Sequence, residues 1–507
     1  MIILTTNILS MNKLIIILFI ISSSVYSQSV YYVAIDGNDS NSGSMTEPWA
    51  TWQKAFNEAE PGDTVYFRGG VYMSTERNTI DPEAWPSGIG VSGTRENPIH
   101  YFGYPGEWPI LDCSLHCDYA PNGGDDFYNS AISLNAVEYI HFKDFEIRNV
   151  FQCDSVVTGA IATSWAANLT FEHIIMHSIG QRGYWINGGA WGEHTQDPEP
   201  MWDYDTTRWI NCDVYDLADT LSSSPGGAPG NAADAWKTIH YKGNVVIWEG
   251  CRAWNYSDDG WDPTPVDGAE RILNNCWAMA SNKFANISEE WEIERNAFKF
   301  NSHHPDEEGS SFERNSIVVK NCLAVFSSAG FGEIGQTPAN GIYYNNTSYK
   351  NTSGFVGTWE VCNSEYKNNL VYGSISETYF VQIYNTNYEE SHNTWTKSGE
   401  NAPWPGWEYN YDVWPVNEND FVTVDSLELV ALFTAPRKPD GSLPPFPLKL
   451  AAGSDLIDAG IDVGLPFNGA APDIGAFEYA APATSRGKGS SAGGGKLYIR
   501  NGKIYVR

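Results

Sequence analysis

A succession of short apolar strands, each broken by an Asn-rich turn, limits the fold of this chain more than any other feature. It is legible at residues 142–147, 209–214, 247–254, 272–278, 318–324, 343–349 and 366–372. Cys251 and Cys276 lie 25 residues apart, as do Asn321 and Asn346. A period in the twenties, built from strands alone, marks a solenoid. Each coil leaves an apolar face and an open strand edge that only the next coil covers. The repeat therefore predicts an all-β chain, a right-handed parallel β-helix of roughly ten coils. A β-sandwich would instead show turns every ~8–12 residues, without aligned Cys and Asn columns. Residues 48–58, with Thr51 as N-cap, predict a short helix over the N-terminal coil, ended by Pro61-Gly62-Asp63. The Pro- and Trp-rich stretch 401–447 has little periodicity and is expected to wrap irregularly along the stack.

The ends differ from this middle. Met11-Asn12-Lys13, an apolar run over 14–21 and small residues before Gln28 predict a secretory signal peptide over 1–27, too short to span a bilayer. The β-helix domain is expected over 28–480. A flexible Ala/Ser/Gly linker follows over 481–495, and a short basic tail over 496–507 whose Asn501-Gly502 is a hairpin signal. No later stretch is apolar enough to cross a membrane, so an extracellular monomer is expected, with the tail as a possible surface-sorting element.

Lys+Arg 30 against Asp+Glu 62 gives a net charge of −32. Such a chain is unsuited to nucleic acid phosphates or anionic lipid. With 42% hydrophobic and 18% charged residues it is also too apolar for disorder. Trp 20 and Tyr 28 exceed what a core demands and are expected partly on the surface, where flat rings suit sugars. Cys212, Cys251, Cys276 and Cys322 occupy one position of the repeat and read as a ladder of buried thiols. Cys113 and Cys117, outside that column, are the candidate disulfide.

The chemistry concentrates in Asp234 and in Ser257-Asp258-Asp259-Gly260-Trp261-Asp262. Asp234 and Asp258 are 24 residues apart, one coil, and are expected to stack side by side with Asp259 and Asp262 in the same turn. Carboxylates that close need a cation among them, and several hard oxygens on a flexible loop favour Ca²⁺ over Mg²⁺. Asp-Asp-Gly alone is equally the composition of a solvated turn; the one-coil register favours the metal. Lys299, between Phe298 and Phe300, is expected on the side of the acids, where a neighbouring dication would let its amine act as a base. Arg182, Lys237 and Arg252 are candidates to line the cleft, but they are expected at the surface and are not counted as site residues.

At these residues a family resemblance emerges. Ala233-Asp234, Gly250-Cys251-Arg252-Ala253-Trp254-Asn255, Ser257 to Asp262, Asn275-Cys276-Trp277-Ala278 and Phe298-Lys299 resemble the polysaccharide lyase family 9 pectate lyases. So do Tyr31-Tyr32-Val33, Pro61-Gly62-Asp63-Thr64-Val65, Gly453-Ser454-Asp455-Leu456-Ile457-Asp458-Ala459-Gly460 and Asp473-Ile474-Gly475-Ala476-Phe477. The resemblance implies a calcium-dependent lyase cleaving an acidic, uronate-containing polysaccharide by β-elimination. Asp234, Asp258, Asp259 and Asp262 would hold Ca²⁺, and Lys299 would be the base. Two departures from the family pattern, Ala235 for Gly and Phe300-Asn301-Ser302 for Leu-Gly-Gly, suggest an altered substrate cleft around an intact metal site. The competing readings are a β-helix hydrolase or epimerase using the acids directly, and a non-catalytic calcium-stabilised carbohydrate-binding module.

Overall fold

The computed structural model describes residues 28–84, 87–116, 128–152, 157–187, 206–221, 229–239, 245–264, 269–280, 295–300, 316–333, 340–357, 364–374, 381–383, 389–397, 409–410, 415–480, 497–500 and 503–506. The segments 1–27 and 481–495, expected as signal peptide and linker, lie outside these, as do Cys117 and residues 301–308.

Strands pair in parallel, coil on coil, throughout the body. They form a twenty-stranded sheet that bends around two faces of the stack and a ten-stranded sheet that makes the third. The parallel β-helix expected from the repeat is therefore the fold. Its register keeps like above like. On the first face Tyr101, Phe142, Phe171, Trp209 and Trp248 pair in succession, with Phe171 and Trp209 stacked 3.9 Å apart. On the third face Trp236, Trp261, Phe298, Phe331 and Phe355 do the same at 4.8–5.8 Å. These centroid distances fall close to the strand spacing of about 4.8 Å, so each of the two faces stacks its rings coil on coil within the lumen.

Among the described residues many of the indoles turn inward: Trp52, Trp209, Trp236, Trp248, Trp261, Trp277 and Trp395 are among the largest fully buried side chains. The turn between the first two faces explains the other columns. Asn211, Asn275, Asn321, Asn345 and Asn368 all adopt φ between 52° and 58°, a left-handed conformation that Asn tolerates and β-branched residues do not. Gly250 takes that place in one coil, where a Cβ would meet the Asn211 Oδ1 at 2.5 Å. The next residue points inward: Cys212, Cys251, Cys276 and Cys322, then Asn346, Asn369 and Asn393. The thiols donate to backbone carbonyls, Cys251 to Trp209 O at 3.4 Å for example. Where thiols end, an amide ladder begins, with Asn346 Nδ2 donating to Asn369 Oδ1 and Asn369 Nδ2 to Asn393 Oδ1. The thiol column is present as expected; Cys113 is a free, buried thiol.

The N-terminal cap is the helix Trp52–Glu58, whose Thr51 Oγ1 accepts from Lys54 N at 3.1 Å. The C-terminal wrap differs from expectation. It runs over 415–480, beyond 447, and contains a helix, Ser426–Phe433, capped by Asp425. Leu429, Phe433, Phe446, Leu456 and Ile474 cover the outer face of the second side, packing on Trp254, Trp277, Leu323 and Tyr349. Arg252 is part of this seam, not of the surface: it is 2% exposed and donates to Asp213, Phe433 O and Ala435 O. Strands Leu497–Arg500 and Lys503–Val506 pair antiparallel, and Asn501-Gly502 between them lies outside the described residues. No helix among the described residues is long and apolar enough to cross a membrane.

Candidate active site

The third face carries the acids. Strand Trp236–Ile239 pairs with Asp259–Thr264, placing Trp236 beside Trp261 and Lys237 beside Asp262. The offset is 25, not the 24 read from the sequence, and Ala235 N donates to Asp259 O at 2.9 Å. Asp259, rather than Asp258, is therefore the direct neighbour of Asp234. A one-residue shift of register turns a side chain to the opposite side, so this correction decides which oxygens converge. Asp234, Asp259 and Asp262 each offer one oxygen to a group lying within 4.8 Å of one another, and all three are buried. Asp258 stands beside that trio and is not one of it.

Asp258 nonetheless feels it. Burial first, then the charges of Asp259 and Asp234, push its carboxyl well above the usual range. Its Oδ1, like Asp234 Oδ1, is buried with no hydrogen-bond partner. Behind them, Asp219 is also buried and is pushed up to about 6, chiefly by burial. Its Oδ1 accepts from Ala232 N and from Ser257 Oγ, so it ties the Asp234 turn to the Asp258 turn. Acids this close, with lone pairs unsatisfied in a low dielectric, suit a hard divalent cation with oxygen ligands. The donor set fits a metal.

Three cations flank the acids. Strand Asn296–Phe300 follows directly on the Asp259–Thr264 coil, with Trp261 beside Phe298, so Lys299 is one coil beyond Asp262. The Lys299 Nζ lies 3.0 Å from Asp259 Oδ2, on the acid side as expected. Asn296 Nδ2 donates to the other oxygen, Asp259 Oδ1, at 2.9 Å and fixes that carboxylate. Lys237 Nζ contacts Asp262 Oδ2 and lies 3.5 Å from Asp234 Oδ2. Arg182 Nε is 4.0 Å from Asp234 Oδ2, with its guanidinium over the Trp185 ring.

Asn296, Asp219, Lys237 and Arg182 were not read as site residues from the sequence. Lys237 was legible in principle, since 237 and 262 differ by the 25 of the Cys251–Cys276 interval. Arg182 lies 52 residues before Asp234, across a long insertion, and no spacing exposes it. Gly260 is there by necessity: a Cβ would meet Ala297 O at 2.6 Å. Of the departures from the family pattern, Ala235 and Phe300 are buried in the coil interior, and Asn301 and Ser302 lie outside the described residues.

Comparison with known proteins agrees with this architecture. The chain is 27% identical over 469 residues to pectate lyase L of Dickeya chrysanthemi, covering 90% of this chain and 92% of that one. The crystal structure of pectate lyase Pel9A superposes with a TM-score of 0.63 at 23% identity, over 90% of this chain and 98% of the other. A rhamnogalacturonan lyase matches at 0.62 and 23%, over 84% and 98%. Residues 31–369 match the model of the Pel9A-like right-handed β-helix region, a span holding every acid and cation described above, and the chain belongs to that family.

Proposed function

We propose that this protein is an exported, calcium-dependent polysaccharide lyase that cleaves a uronate-containing, pectate-like polymer by β-elimination. The observation that carries the reading is the Lys299 amine 3.0 Å from a buried carboxylate whose neighbours leave oxygens unsatisfied. Asp234, Asp258, Asp259 and Asp262 are the residues that would hold Ca²⁺. The ion would supply a Lewis-acidic partner for the C6 carboxylate as charge builds there, and a field disfavouring the ammonium form of the nearby amine.

The chain's own residues do the rest. Asn296 holds Asp259, and Asp259 holds the Lys299 side chain at the acid cluster. Lys299 takes the C5 proton of the uronate. The C5–H electron pair becomes the C4–C5 double bond, and the C4–O bond breaks. The glycosidic oxygen leaves with that bond's electrons and gains a proton, so no water is consumed. Proximity of a fixed amine to the scissile C–H, rather than a new covalent bond to the protein, is the protein's contribution. A glycosidase would need a protonated acid and a second carboxylate across the bond. Here Asp234, Asp259 and Asp262 converge on one side and share Lys237 and Lys299, which supports elimination.

Activity is read by ultraviolet absorbance of unsaturated ends on a panel of uronides, with and without Ca²⁺. Lys299→Ala is expected to lower turnover by at least about 10²–10⁴, the usual worth of a general base, while folding and calcium affinity persist. Wild-type activity in that variant would remove Lys299 from the mechanism.

A further inference from the structure

Lys237 and Arg182 are surplus to the reaction just described, yet they are built into its site. Trp185, Lys237 and Asp262 pair in register on three successive coils, and Lys299 follows on the fourth. Lys237 and Lys299 therefore flank Asp262 from opposite sides along the helix axis. Arg182 is preorganised: its guanidinium carbon sits 5.1 Å from the Trp185 ring centroid. Both Arg182 and Lys237 are mostly enclosed, with side chains 12% and 15% exposed. Asp234 and Asp262 offset the cost of ordering these two long cations, and with those acids holding a metal another anion would be needed.

The charge count identifies the anion. Asp234, Asp259 and Asp262 set three carboxylates against the three cations Arg182, Lys237 and Lys299, with Asp258, its carboxyl pushed up, standing beside them. A dication among the acids would shift that balance by two positive charges. Asp234 and Asp262, the carboxylates that now face Lys237, are then committed to the metal. Lys237 would then lose much of the counter-charge that these two carboxylates give it. A polyuronate carries a carboxylate on every unit, so the unit next to the reacting one needs a cation of its own. Lys299 is occupied with the proton, which leaves the Arg182–Lys237 pair.

We propose that Arg182 and Lys237 form a carboxylate subsite for the uronate unit flanking the reacting one, on the N-terminal-coil side of the acids. This rests on the lyase reading above. It also accounts for how a chain of net charge −32 attracts a polyanion: the field at the site is reversed locally, within a screening length of ~8–10 Å.

The test uses the full chain carrying Lys299→Ala, so that no turnover intervenes, at saturating Ca²⁺. Calorimetry compares a galacturonic acid trimer with its methyl ester. The free acid is expected to bind tighter, and adding Lys237→Gln or Arg182→Gln is expected to shrink that gap about tenfold, the worth of one charge-assisted contact. Calcium affinity is expected to hold or to tighten in Lys237→Gln, because a competing cation is gone. A gap that does not change overturns the subsite. So does a gap that shrinks only together with calcium affinity, or a parent protein with no preference for the acid. If one variant fails to fold by circular dichroism, the other carries the measurement. Failure of the lyase reading shows separately, as absence of unsaturated product from the wild type while the binding gap remains.

Discussion

Two buried clusters of charge in this molecule look alike by composition and differ in completeness. At the seam with the C-terminal wrap, Asp213 lies between Arg252 and Arg437. Arg252 donates to both its oxygens at 2.6–2.8 Å, and Arg437 Nη2 donates to Oδ1 at 2.6 Å. Arg437 further reaches Cys212 O and Gly250 O. Burial alone would push the Asp213 carboxyl up, but Arg437 and Arg252 hold it below its ordinary value. On the third face the acids outnumber their cations, and Asp258 is pushed the other way. A saturated cluster locks two segments together; an unsaturated one keeps room for a ligand. Buried charge by itself distinguishes neither, and the completeness with which the carboxylate oxygens are paired does.

Removing one acid from each cluster tests that distinction most severely. Asp213→Ala leaves two guanidinium groups buried without their anion. It is expected to destabilise the fold by about 3–5 kcal/mol and to loosen the wrap over 415–480. Thermal unfolding and protease susceptibility of that segment are the measurements. Asp258→Asn, by contrast, removes repulsion among like charges. In chelator the variant is expected to melt at or above the wild-type temperature, while the stabilisation that added Ca²⁺ gives by mass action shrinks. A large loss of stability for Asp258→Asn without calcium would mean that the third-face acids are structural after all.

What the sequence disclosed follows the same line. The Asn and Cys columns were legible because a left-handed turn residue and a small inward residue are imposed on every coil by its geometry. The five acids and amines of the prediction were legible because Asp258, Asp259 and Asp262 are contiguous and Asp234 and Lys299 lie one coil to either side. Three things were hidden, each for a physical reason. Register could not be fixed to one residue from spacing, because insertions vary between coils, and so Asp258 was set beside Asp234 in place of Asp259. The indoles were expected partly on the surface because composition does not say that two faces of the lumen each stack aromatic rings on successive coils. Arg182, Arg437 and the helix Ser426–Phe433 meet their partners only through long-range packing. Arg437 is 224 residues from Asp213.

The smallest expected effect extends the comparison to a third acid, near the N-terminal end of the stack. Asp112 is 5% exposed, and burial would raise its carboxyl. Arg148 Nε at 2.8 Å, Ser114 N and Asn149 Nδ2 at 3.0 Å more than offset that, and it is held down at about 2. By the rule drawn from Asp213, this is a saturated, structural acid. In the unfolded chain an Asp titrates near 3.9. A folded value below the unfolded one means the unfolded state takes up the proton first as pH falls. The stability that Asp112 contributes is therefore fully present above about pH 4–5 and is lost progressively toward pH 2. Asp112→Asn removes that titration but keeps one acceptor for Arg148. The variant is expected to melt lower than wild type at pH 6, with the difference narrowing as pH approaches 2, in melts recorded with chelator so that the calcium acids add no ligand term. A difference independent of pH across that window would show that packing, not the charge, is what Asp112 supplies, and the rule linking a fully paired carboxylate to a structural role would fail at its most exposed example.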